Sequence, residues 1–134
     1  MTTFAASVSK FVELSKDRSN VVSRKIIFGV LSNVVMGSPV DTGRFRGNWQ
    51  VGLAVRPSGE GPGASSDVGA VLTDGLGKIQ DFVAGHSTNG LLFITNTVPY
   101  ALRLEFGWSQ QAPDGMVRTT MQKLDEIVAG ALKK

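Results

Sequence analysis

The chain has 134 residues and a net charge of +3 from fourteen basic and eleven acidic side chains, with 42% hydrophobic and 19% charged residues. That is one domain's worth of sequence, with too much apolar material for a wholly disordered segment and too weak a charge for a dedicated nucleic-acid surface. Cysteine is absent, which excludes disulfides, thiolate metal sites and cysteine nucleophiles; the sixteen glycines crowd into the middle without a period, which excludes collagen-like and solenoid designs.

Apolar residues recur at helical spacing from Phe4 to Val35, most clearly Val22, Ile26, Val30 and Val34 with Val21, Ile27, Leu31 and Val35 alongside. Phe4, Val8 and Phe11 carry the rhythm upstream, and Lys10, Glu13, Lys16, Asp17, Arg24 and Lys25 supply a wet face. Ser19-Asn20 marks a candidate interruption, and Gly37 followed by Pro39 marks the end. Nothing approaches a bilayer-spanning run, and Met1 to Lys10 lacks the features of a secretory signal; synthesis in the cytoplasm and no membrane contact are expected.

From Asn48 to Val55 the period changes to two, with Trp49, Val51, Leu53 and Val55 on one face and Asn48, Gln50, Gly52 and Ala54 on the other. The Pro, Gly and Ser run from Arg56 to Ser66 reads as a long, flexible, exposed loop. Val68 to Leu72 suits a short strand, and Asp74 to Val83 a short helix or a strand continued past Gly75 and Gly77, so the topology of 67–90 stays open. Leu91 to Asn96 predicts an internal strand. After Pro113 and Asp114, the steps Val117, Met121, Leu124, Val128 and Leu132, broadened by Ile127, predict a closing amphipathic helix. The order describes a single α+β domain over residues 1–134: a small, mainly antiparallel sheet with the N-terminal and C-terminal helices covering one face.

An enzyme needs a constellation, and the inventory is thin. His86 is the only histidine and lies in the loop sequence Ala-Gly-His-Ser-Thr-Asn-Gly, where a solvated side chain is the first reading, ahead of an interface contact or a catalytic base. No metal-ligand spacing occurs, and Gly59 to Gly63 lacks the Gly-Lys-Ser or Gly-Lys-Thr of a phosphate loop. Catalytic, cofactor and metal residues are therefore expected to be none.

Two segments stand out. In Asp41-Thr-Gly-Arg-Phe-Arg-Gly-Asn-Trp49, Asp41 can accept from amides or a hydroxyl two residues on, Gly43 permits a turn, and Arg44 and Arg46 place two guanidinium groups at alternate positions. They serve either intrachain pairing or an acidic partner surface. In Tyr100-Ala-Leu-Arg-Leu-Glu-Phe-Gly-Trp108, Glu105 is a candidate ion-pair partner for Arg44 or Arg46, against the alternative of a solvated carboxylate. Trp49 suits the core, whereas Trp108, beside Gly107 and a polar run, suits an assembly surface.

These landmarks, Ser38 to Trp49, then Asn96 to Gly107, then Ala112-Pro-Asp-Gly-Met-Val-Arg118, resemble the family of tailed-phage neck and tail-completion proteins typified by HK97 gene product ten. Val40, Asp41, Thr42, Gly43, Arg44, Phe45 and Arg46 fit its Asp-Thr-Gly phrase; Tyr100, Ala101, Glu105, Phe106 and Gly107 fit its Tyr-Ala-x-x-x-Glu-Phe-Gly phrase; Pro113, Met116 and Arg118 approximate its approach to the last helix. Asp114-Gly115 departs from the more compact apolar approach of many members. The resemblance implies a structural, non-enzymatic virion protein forming a ring homo-oligomer, a hexamer among the candidate sizes, at the head-tail junction or the head-proximal end of the tail. Its partners would be copies of itself, portal-adaptor or neck proteins, and tail terminator or tail tube proteins. The alternatives are a channel component touching packaged DNA non-specifically through Arg44, Arg46, Arg56 and Lys78, and a small hydrolase using His86.

Overall fold

In the computed structural model, residues 4–39, 44–63, 67–99, 101–106 and 114–133 are described, with side chains from residue 19 onward apart from Leu102. The first helix, α1 (Phe4–Met36), runs unbroken through Ser19-Asn20 and, at 33 residues, is about 50 Å long. The two polar residues lie where the helix is exposed, so no packing is lost by leaving them in register. Among its described side chains Leu31, Val34 and Val35 are buried. The helix ends where Gly37 donates its amide to Asn33 O at 2.9 Å.

A single turn, α2 (Arg44–Gly47), leads into β1 (Trp49–Leu53), which pairs antiparallel with β2 (Leu92–Asn96), Trp49 opposite Asn96 and Leu53 opposite Leu92. Among the described residues these are the only strands. The expected strand stops short of Val55 because Ala54 takes a positive φ of 67°, which turns the chain and leaves Val55 exposed.

Between the strands lies α3 (Val68–Val83), one continuous helix where the sequence suggested a strand followed by a short helix. Asp67 caps it by accepting from Ala70 N at 3.0 Å. Val71 and Ile79 are buried on the face that meets both α1 and β1. Gly75 is what lets the three elements close: a Cβ there would stand 2.4 Å from Leu31 Cδ2 and 3.4 Å from Val51 Cγ2. Helix α3 thus lies against β1, and Leu31, Val34 and Val35 of α1 and Met116 from the C-terminal part of the chain join Trp49 and Val51 in the same core.

The segment after β1 is exposed at Arg56, Ser58, Gly59, Glu60 and Pro62, as its composition suggests, while Gly61 and Gly63 are buried. Residues 56–63 run back along the Asn48, Gln50 and Gly52 face. Pro57 lies so close to Gly52 that any Cβ there would meet its ring at 2.5 Å. Gly59 O accepts from Gln50 Nε2 at 3.0 Å and Thr97 Oγ1 at 2.5 Å, Gly61 N donates to Asn48 Oδ1 at 2.8 Å, and Gly63 N donates to Gly47 O at 3.0 Å. Four hydrogen bonds offset the entropy of ordering a glycine-rich run.

A short helix, α4 (Ala101–Glu105), precedes α5 (Val117–Gln122) and α6 (Leu124–Leu132), which divide the expected closing helix at Lys123. The side of this pair that faces inward carries Thr120, Ala131 and, from the expected stripe, Ile127, with Val128 half-buried beside it, whereas Val117, Met121, Leu124 and Leu132 are exposed. Where α6 rests on α1 the small residue is on α1: a Cβ on Gly29 would stand 2.7 Å from Ile127 Cγ2. The architecture is α+β, and no helix among the described residues is long and apolar enough to cross a membrane.

Candidate assembly site

The last carbonyls of a helix have no partners within it and must find donors elsewhere. At the end of α1 Arg46 supplies them: its Nη2 donates to Met36 O at 2.9 Å and to Ser38 O at 3.0 Å. Ser38 Oγ donates to Val34 O at 2.5 Å and accepts from Trp49 Nε1 at 2.7 Å, so the indole is buried with its polar atom satisfied. The Phe45 ring meets Trp49 edge-on, with centroids 5.7 Å apart. Asn48 and Asn96 complete the junction: Asn48 Nδ2 donates to Arg44 O at 2.6 Å, and Asn96 Nδ2 to Phe45 O at 2.7 Å. Arg44 itself is exposed.

At the start of α5 the problem has the opposite sign, since the first amides of a helix lack acceptors. Glu105 answers it. Its Oε1 accepts from Met116 N at 2.9 Å and Val117 N at 2.8 Å, and its Oε2 accepts from Arg118 N at 3.1 Å and Arg118 Nε at 3.1 Å. Arg118 Nη2 also donates to the Glu105 carbonyl, and the guanidinium lies 5.2 Å from the exposed Phe106 ring. Glu105 is 14% exposed and Arg118 50%. Burial pushes the Glu105 carboxyl upward, but the amides of Val117 and Arg118, the Arg118 side chain and the Met116 amide together outweigh it and hold the carboxyl below its ordinary range. Gly115 makes the approach possible twice over, with φ at +79° and no space for a Cβ against Glu105.

Within the chain the expected partnership of Glu105 with Arg44 or Arg46 is therefore not formed. Arg118 takes the carboxylate, and Arg46 is engaged by carbonyls at the other junction. Arg118 entered the sequence reading only as a landmark near the last helix; the signal that could have found it is an acceptor-only residue ahead of a helix start that lacks a side-chain cap of its own. Trp49 sits in the core as expected. Asp41, Thr42, Gly43, Tyr100, Gly107 and Trp108 lie outside the described residues.

His86 is exposed, with Nδ1 3.9 Å from the equally exposed Asp81 carboxylate. This surface pair gives the imidazole no buried orienting partner of the kind a catalytic base uses. The amides of Gly61 and Gly63 already have acceptors within the chain, which removes them as a phosphate cradle. Lys78 pairs with Asp74 at 3.2 Å on α3. Among the described residues no group of three metal-ligating side chains occurs. Comparison with protein-family models, curated proteins and solved structures returns no match.

Proposed function

We propose that this chain is a structural subunit of a tailed-phage particle, built into a ring at the head-tail junction or at the head-proximal end of the tail. One observation carries the reading. The described residues of the two later landmarks meet at Glu105, whose carboxylate joins the Arg118 side chain and the Met116, Val117 and Arg118 amides into one junction. The first landmark forms a second junction through Arg46 and Trp49. The residues that carry the resemblance thus hold the subunit's own scaffold together, which supports the reading of a ring subunit that acts through its surfaces.

In this reading Phe106, exposed and held beside Arg118, belongs to the face offered to a neighbouring subunit or tail protein. The engagement of Arg46 and Lys78 within the chain leaves less cationic surface for DNA than the sequence suggested. Imaging of phage particles carrying a labelled copy tests the proposal: label at the portal side of the junction indicates a connector, and label at the head-proximal tip of an otherwise complete tail indicates tail completion. Infectious particles that never contain the chain would overturn it.

A further inference from the structure

The α5–α6 pair behaves as one rod. Lys123 N donates to both Thr119 O at 3.3 Å and Thr120 O at 3.0 Å, and Ile127 N donates to Lys123 O at 3.0 Å, so hydrogen bonding passes through the break. Beside the face packed on α1, the rod shows Val117, Met121, Leu124 and Leu132 with 41, 46, 36 and 53% of their surface open, and the half-buried Val128 lies between the last two. Steps of four and three keep these residues in one line. Arg118 and Asp125, each one position past a stripe residue, follow its outer border. Asp125 is exposed and has no ion-pair partner among the described residues.

We propose that the stripe seats the same stripe of a second copy of this chain, laid antiparallel about a two-fold axis close to Gln122 and Lys123. The stripe is self-complementary. In that register Val117 faces Val128 of the other copy, Met121 faces Leu124, and Arg118 on one border meets Asp125 on the other; the two-fold repeats each pairing. A parallel arrangement about a two-fold would leave Arg118 and Asp125 on opposite sides of the seam from their own copies and bring no Arg118–Asp125 pair together. Arg118 can serve because half of its side chain remains open while Nε and Nη2 hold Glu105. Such a contact uses one patch twice and closes as a pair, whereas the neighbours of a ring meet through two different patches. The pairing therefore stands or falls separately from the ring.

The absence of cysteine makes the register directly readable. Under mild oxidation an equimolar mixture of Val117→Cys and Val128→Cys chains should form the mixed disulfide at least about tenfold faster than either variant alone forms its own, because only the mixed pair falls within disulfide reach. In sedimentation equilibrium the unmodified chain should appear as a dimer, and Leu124→Glu should weaken it by about tenfold or more with unchanged circular dichroism. Should Leu124→Glu unfold the chain, Asp125→Arg, at an exposed position, carries the same expectation. A monomer at every concentration up to the millimolar range, cross-linking without preference for the mixed pair, or a dimer indifferent to Asp125→Arg would each overturn the proposal.

Discussion

The end of α1 and the start of α5 face one problem with opposite signs, and the two solutions differ in setting. At α1, orphan carbonyls are met by the cation Arg46 inside a junction floored by the buried Trp49 and Phe45. At α5, orphan amides are met by the anion Glu105, whose partner Arg118 remains half open to water. Both charges are used to finish helices within the chain, so their presence in the sequence did not imply that they meet each other. The first junction rests on packing and should be sensitive to cavities; the second rests on charge and should be sensitive to pH.

The largest effect is expected at the α1 junction from Trp49→Ala, which removes a buried indole and leaves Ser38 Oγ without its donor; a loss of about 3–5 kcal/mol should be seen by urea unfolding. At the α5 junction Gly115→Ala meets both a positive φ and the Glu105 carboxylate, and about 2–3 kcal/mol should be lost by the same measurement. Glu105→Gln should cost about 1–2 kcal/mol at neutral pH, since charge-assisted hydrogen bonds become neutral ones.

The pH dependence of Glu105 follows in sign. Its carboxyl is held below the ordinary value, so its stabilisation is fully present above the unfolded-state pKa and disappears as pH falls through the lower folded-state pKa. The difference in unfolding free energy between the unmodified chain and Glu105→Gln should accordingly shrink on acidification through that window. A constant difference would break the distinction between the junctions. Charge exchange sharpens it further: Arg46→Glu combined with Glu105→Arg should recover none of the stability lost in the single variants, because no hydrogen bond joins the two side chains. The smallest effect belongs to neither junction: His86→Ala should change stability by less than about 0.5 kcal/mol.

What the sequence made legible, and what it did not, follows from the same physics. The stripe ending in Val34 and Val35 marked α1, and alternation around Val51 and Ile94 marked the strands, because large apolar residues there do face the core. The helix α3 was hidden by Gly69, Gly75 and Gly77, poor helix formers, one of which is required where Leu31 and Val51 press against it. Asp67 as a cap, with Val68, Val71, Leu72, Ile79 and Val83 at helical intervals, was the overlooked signal. In α5 and α6 the period holds, and Ile127 of the stripe packs against Gly29 with Val128 half-buried, but the buried positions are Thr120 and Ala131 while Val117, Met121, Leu124 and Leu132 stay open. The partner of Glu105 was unreadable because it depends on a turn at Gly115 that brings Arg118 back across the chain.

The return of residues 56–63 over β1 has one more consequence. Pro57, Gly59 and Gly61 meet Gly52, Gln50 and Asn48 in steps of two, like teeth on a rack. One residue inserted after Pro57 would put the later teeth half a step out of phase, whereas two would let them engage again one notch along. Length changes in this segment should therefore be tolerated by parity before they are tolerated by size.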